Sequence, residues 1–326
     1  MSKFAFLHLI FLLFATKSFG QKFQSIENTV KTFPTSFKSP EKLAKQIAEK
    51  FTNDEQKAVA AYIWIASNIE YDVKGYVRGK YDDTEYFNGK TKEEIQKKIE
   101  EYKIDIAEKT IKKETGVCEN YSQLFQRVCD LMGLKGEVVS GYSKNELSDL
   151  GKMPPGIDHA WNKVKINNEW KYFDATWGAG YIDLRKREFI PAFNYNYCML
   201  NIDRISLNHI DKTLPKIELA AQRVQFSKTP FYWGSYVGSD MTLVEPQTVY
   251  VATHGAKSIP FKVQNFPKGG TLSYFLDSGT DAGKLEEVSE EGNTTLFNLP
   301  CNIKTGAIMH VYLDEKPFVS FKMGIR

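Results

Sequence analysis

The hydrophobic rhythm of the chain changes several times, and each change marks an element. An unbroken apolar run covers 4–15, behind Lys3 and ahead of Ser18-Phe19-Gly20. A positive start, a short apolar stretch and small residues before the cut predict a secretory signal peptide over 1–20, with a mature start at Gln21. The run is too short to span a membrane comfortably. Helical spacing follows. Ser39-Pro40 reads as an N-cap and first helical residue, with Leu43, Ile47 and Phe51 on one face. Thr52-Asn53-Asp54-Glu55 reads as a capping box opening a helix striped by Val59, Ile63, Ala66 and Ile69.

Residues 74–113 turn rich in Lys, Glu and Tyr, with a second capping box at Thr91-Lys92-Glu93-Glu94 and a narrow stripe of Ile95, Ile99 and Tyr102. They predict an exposed helical insertion, either a solvated charged helix or a lid over the next segment. Gly116-Val117-Cys118 breaks the pattern. Cys118, Tyr121, Phe125, Val128 and Met132 then fall at helical spacing, and Gly133 suits the position just past a helix end. Strands are expected over 137–142, 159–166 and 169–176, the last two joined by Asn167-Asn168, a dipeptide suited to a two-residue hairpin turn. From about 226 onward short apolar runs are punctuated by Gly, Pro, Asn and Asp. Runs at 242–243, 248–252, 261–263, 272–276, 295–299, 308–313 and 318–323 predict a small β-sandwich. The resulting division is a signal peptide over 1–20, an α+β domain over 21–224 and a β-sandwich domain over 225–326.

Composition narrows the function classes. Of 326 residues, 25% are charged and 42% hydrophobic, which fits a globular chain. A formal net charge of +3 gives no pull toward nucleic acid or an anionic membrane surface. The four cysteines form no CxxC pair, which excludes a disulfide-dense scaffold and a zinc ribbon. No HExxH or paired His occurs, so neither a metal nor another cofactor is expected.

Cys118 follows a Gly-Val pair at a predicted helix start. The free N–H groups and dipole there favour a thiolate and could stabilise a tetrahedral oxyanion. A thiol nucleophile needs a proton acceptor, for which His is the usual choice. If Asn167 and Asn168 form the turn, His159 lies opposite Thr176 and Trp161 opposite Asp174. His159 and Asp174 then become diagonal neighbours on one sheet face, about 7 Å apart, close enough for Asp174 to orient the ring. A three-residue turn would put them on opposite faces. Trp161, Tyr172 and Trp177 surround this pair in sequence, as core packing or as walls of a substrate cleft. Cys129 lies about 16 Å along the same helix from Cys118, too far for a disulfide, and reads as core. A Cys198–Cys301 bridge between the domains stays open.

Three motifs carry a resemblance. Gly116-Val117-Cys118-Glu119-Asn120-Tyr121-Ser122, His159-Ala160-Trp161-Asn162-Lys163-Val164 and Trp170-Lys171-Tyr172-Phe173-Asp174-Ala175-Thr176-Trp177-Gly178 resemble the transglutaminase-like superfamily in order and in spacing. Asn68-Ile69-Glu70-Tyr71-Asp72 resembles the end of that family's leading helix. Within the superfamily, the layout is similar to kyphoscoliosis-peptidase-like proteins, whose core is often followed by a segment like 197–219 with a His such as His209 and then by a β domain. The resemblance covers about 55–220. It implies a papain-like core whose Cys-His-Asp triad performs acyl chemistry on amides: Cys118 attacks, His159 shuttles the proton and Asp174 orients it. Two departures weigh against protein crosslinking of the animal type. Glu119 stands where those enzymes carry Trp, and their calcium dependence finds no EF-hand-like loop here, Asp82-Asp83 being the nearest acidic pair. His254 and His310 have no patterned partners.

Two functions follow from this reading. One is a secreted or periplasmic cysteine enzyme acting on peptide or protein amides, by hydrolysis or by acyl transfer. The other is a non-catalytic binding or scaffold protein on the same fold. The expected partner is a peptide or protein substrate, without nucleic acid or stable membrane insertion, and the β domain offers a surface for a protein partner on fold-level analogy.

Overall fold

Helix Asp54–Asn68 is apolar on nearly every side, and that decides its place. Its residues from Ala58 to Ala66 are all buried, so it sits at the centre with helices Phe19–Val30, Pro40–Lys50 and Cys118–Leu131 packed around it. The computed structural model describes residues 19–78, 87–183, 185–252, 256–279, 281–300 and 306–324. The expected signal peptide lies outside these apart from its last two positions, which open the first helix. Asp82-Asp83, His254 and Cys301 also lie outside the described residues, and with Cys301 the open question of its pairing to Cys198.

Capping corrects one expectation. The cap of the central helix is Asn53, whose side chain accepts from the Gln56 N–H at 2.8 Å, so Thr52 is one residue too early. The charged insertion is not a freestanding helix either. Lys92–Lys113 is capped by Thr91 as expected, and its outer half is solvated and laced with pairs such as Lys97–Glu101. Its inner half buries Ile106, Ala107, Thr110 and Ile111 against the Cys118 helix.

The core sheet is antiparallel, in the order Glu169–Phe173, His159–Ile166, Gly136–Ser143, His209–Asp211. Asn167 and Asn168 both take positive φ, 51° and 67°, which is the twist a two-residue hairpin needs. The register is the one that turn implies, from Ile166↔Glu169 to Asn162↔Phe173. The second strand ends there, earlier than expected. Asp174 leaves the ladder and becomes the N-cap of a short helix, Ala175–Ala179. One sheet face packs on the helices through Val164, Ile166 and Phe173; Val139 and Trp161 belong to a second core shared with the C-terminal strands.

Those strands form two sheets, one ordered Thr242–Glu245, Ser258–Gln264, Thr294–Pro300, Glu286–Glu291, the other built around Lys316–Gly324, Ile308–Leu313 and Leu272–Leu276. Together with the helical layer and the antiparallel core sheet they give an α+β core followed by a β-sandwich. The position between 224 and 225 falls inside helix Lys216–Lys228. The C-terminal end of that helix is tied to the core by Lys144, whose buried ammonium donates to the carbonyls of Phe226, Thr229 and Pro230. His310 has a partner after all, the Ser320 hydroxyl at 2.8 Å.

Candidate active site

Cys118 is the first residue of its helix and is half-buried. Local sequence fixes that start. Asn120 reaches back so that its Oδ1 accepts from the Val117 N–H at 3.0 Å, while its Nδ2 donates to Thr110 Oγ1 at 3.2 Å. A side chain at 116 would run into Asn120, its Cβ falling 2.4 Å from that of Asn120, which explains the Gly. Glu70–Tyr71 pairs in parallel with Thr115–Gly116, and the Tyr121 hydroxyl donates to the Ile69 carbonyl. The end of the central helix therefore braces the turn that presents the thiol.

His159 opens its strand and is buried, paired with Gly141 on the neighbouring strand. The residue before it is pinned, because Asp158 accepts from the Ser143 N–H at 2.7 Å and from its hydroxyl at 2.9 Å. His159 Nε2 lies 2.7 Å from Asp174 Oδ2, and the Cys118 thiol is near enough to the ring to contribute to raising it. Asp174 is fully buried and uses both oxygens: Oδ1 caps the short helix by accepting from the Trp177 N–H at 3.0 Å, leaving Oδ2 for imidazole. His159 and Asp174 meet beside Cys118, although not by the expected cross-strand diagonal. The carboxylate arrives through the capping turn beyond the ladder.

The aromatic neighbours divide. The His159 ring is stacked with Trp177 at 5.0 Å between centroids and with Trp161 at 6.0 Å. Trp161 is 2% exposed and its ring neighbours are His159 and His209, so it packs the imidazole and does not wall an open cleft. Trp177 and Tyr172 are half-buried; Tyr172 pairs with Lys163 and bridges to Leu200. Cys129 is buried in the helical core, and that burial pushes its thiol well above the ordinary range.

One site residue had no role assigned from sequence. His209 Nε2 lies 3.2 Å from Asp174 Oδ2, and its ring centroid is 4.5 Å from that of Trp177. Its strand is three residues long and carries no alternation to reveal it. Among the described residues, His159, Asp174 and His209 form a cluster whose nitrogen and oxygen atoms lie within 4.8 Å of one another. Hydrogen bonding accounts for that spacing. The 2.7 Å contact is shorter than the roughly 3.3 Å that tetrahedral bonds of about 2.0 Å impose between ligand atoms.

Electrostatics separate the two imidazoles. Burial works to lower His159, but the Asp174 charge, its hydrogen bond and the Cys118 thiol outweigh it and raise the ring to about 10. Burial would raise Asp174, yet the same ion pair and the bonds from both rings hold it well below the usual carboxylate range. His209 goes the other way: burial dominates, Asp174 offsets only part of it, and the neighbouring His159 charge lowers it further, to about 4. The protein thus keeps His209 neutral where the unfolded chain protonates it. A group lowered in this way costs stability as pH falls from its unfolded value toward its folded one. His310, lowered by burial, acts in the same sense. Urea midpoints should therefore fall between about pH 6.5 and 4.5, each neutral buried ring contributing up to about 1.4 kcal/mol per pH unit. A midpoint unchanged from pH 7 to 5 would contradict a neutral His209.

A cysteine at a helix start, a strand-borne histidine and a buried aspartate, on an antiparallel sheet backed by helices, define a transglutaminase-like α+β protein. The chain matches the model of the transglutaminase-like superfamily over residues 41–175. It is 24% identical over 253 residues to the kyphoscoliosis peptidase of Mus musculus, across 77% of this chain and 35% of that protein. Against the kyphoscoliosis peptidase of Homo sapiens the identity is 24% over 221 residues, 67% of this chain and 30% of that one. The chain therefore spans about a third of the length of these relatives. Among solved structures, that of a TGase aligns with 51% of this chain and 35% of its own at 18% identity, with a TM-score of 0.29.

Proposed function

We propose that the protein is a secreted or periplasmic cysteine enzyme that acts on peptide or protein amide bonds, with Cys118 as nucleophile, His159 as general base and acid, and Asp174 as its orienting carboxylate. One observation carries the reading. A carboxylate fully removed from water is aimed at the imidazole on which the helix-start thiol also acts. Burying that charge is costly unless it is paired. The similarity to peptidases in mouse and human adds to it. The leader over 1–20 is the ground for secretion. No helix among the described residues is long and apolar enough to cross a membrane.

The steps follow from these groups. His159, raised to about 10, already holds the proton of the thiol–imidazole pair, so sulfur attacks the amide carbonyl beside an imidazolium, and the resulting oxyanion meets N–H groups of the first helical turn. The imidazolium returns the proton to the departing amine, leaving a thioester on Cys118. Water then attacks, deprotonated by His159, and the acid leaves with the thiol restored. Hydrolysis is favoured over amine transfer because Glu119 stands in place of the Trp of animal-type enzymes. An assay offering a glutamine-containing peptide with and without a primary amine tests the ranking. Hydrolysis should outrun amine incorporation, and the opposite result would reverse it. A labelling arm with a thiol electrophile tests the chemistry itself: equal labelling of the wild type and His159→Ala, together with no turnover of any peptide, would favour the scaffold function.

A further inference from the structure

Asp174 Oδ2 serves two imidazoles, 2.7 Å from His159 Nε2 and 3.2 Å from His209 Nε2. The second ring is 2% exposed and part of a closed circuit. Its Nδ1 lies 2.7 Å from Asn208 Oδ1, and Asn208 Nδ2 lies 3.1 Å from the Tyr197 hydroxyl. The Tyr197 carbonyl in turn accepts from the Asp174 N–H at 3.0 Å. The sheet anchors the circuit: Ser143 pairs with His209, and the Lys144 N–H donates to the Asn208 carbonyl at 3.0 Å. Asn208 carries both a donor and an acceptor and can serve His209 in either tautomer, whereas ionised Asp174 only accepts. The Ile205 carbonyl also accepts from the ring, but the full charge of Asp174 outweighs that neutral acceptor and places the Nε2–H of His209 on Asp174.

We propose that His209 is a positioning residue: its Nε2–H fixes the plane of the Asp174 carboxylate and shares the negative charge that Asp174 presents to His159. The inference rests on the Cys118-His159-Asp174 reading above. The cap alone holds only Oδ1, so the carboxylate could turn about that contact and carry Oδ2 away from His159. The second donor on Oδ2 removes that freedom. It also draws charge from the oxygen that polarises His159, limiting how tightly the catalytic ring holds its proton. Packing alone would not call for an imidazole here. An apolar ring would fill the space among Trp161, Trp177 and Tyr197 without burying two polar nitrogens.

The test contrasts His209→Phe, which keeps a ring and removes the donor, with His209→Gln, which keeps an N–H at similar reach. Two readouts need no substrate: the His159 ring titration followed by NMR, and the pH profile of Cys118 alkylation by iodoacetamide. The groups facing His159 are Cys118, Asp158, Asp174 and His209, while the hydroxyls of Tyr62, Tyr121 and Tyr197 near Asp174 are kept protonated by burial. In His209→Phe the His159 midpoint should move to higher pH and kcat should fall about tenfold with KM little changed. His209→Gln should restore the midpoint and bring kcat to within about twofold of wild type. In an Asp174→Asn background, His209→Phe should add nothing further, because its effect passes through Asp174. If His209→Phe does not fold, His209→Met against His209→Gln supplies the same contrast at nearly equal side-chain length. A wild-type midpoint and wild-type alkylation profile in the donor-less variant would overturn the proposal. A shifted midpoint in a protein that turns over no amide would leave His209 in this role and remove the proposed activity instead.

Discussion

Asp174→Asn should lower turnover by about four orders of magnitude while leaving the fold in place. The expected severity comes from the double use of this side chain. An Asn at 174 still presents an oxygen to the Trp177 N–H, and Asn is as good an N-cap as Asp, so helix Ala175–Ala179 keeps its start. The other end of the amide then points N–H groups at His159 and His209, where two donors formerly met an acceptor. His159 turns to the tautomer that offers a lone pair to the amide and directs its N–H toward Cys118, where a base is required. The imidazolium also loses its buried counter-charge. Thermal unfolding together with peptide turnover checks the result. A variant that keeps its unfolding midpoint and retains more than about a tenth of wild-type turnover would remove Asp174 from the mechanism.

Cys118→Ala should abolish turnover at little cost in stability. The thiol is half-buried at the first helical position and fills no core, and Ala is the strongest helix former. The contrast with Cys129, fully buried in the helical core, is sharp, since truncation there opens a cavity. The same contrast governs reactivity. With limiting iodoacetamide near neutral pH the label should fall on Cys118, because burial excludes reagent from Cys129 and Cys198 and pushes the Cys129 thiol up. Peptide mapping reads the site directly. Preferential labelling of Cys129, Cys198 or Cys301 would contradict the assignment of the nucleophile.

Much of this architecture is written locally. Asn167-Asn168 set the hairpin, because two adjacent residues that tolerate positive φ leave little choice of turn, and the ladder follows from that turn residue by residue. The Cys118 helix starts and ends where its own residues say. Asn120 closes its first turn, and Gly133 at φ 75° closes its last, with the Leu134 N–H reaching back to the Cys129 carbonyl. Most sandwich strands could be read from apolar runs bounded by turn residues. Glu286–Glu291 could not, because it is an exposed edge strand whose pairing comes from Thr294–Pro300 and not from any apolar face of its own.

The sequence by itself determined the candidates for the chemistry, since helix start, hairpin register and motif order are all encoded within short stretches of chain. How those residues meet was decided by the tertiary structure. Asp174 reaches His159 only because the strand stops at Phe173 and the carboxylate is captured as a helix cap, an outcome set by competition between ladder and cap that alternation along the strand does not reveal. His209 joins them from 35 residues beyond Asp174, through a three-residue strand whose position depends on pairing with Gly136–Ser143. Burial then divides two chemically identical rings. Both lie beside one carboxylate, yet the ring on which the thiol also acts is raised and the ring walled in by aromatics is lowered, a difference that exists only once the chain has excluded water from that corner.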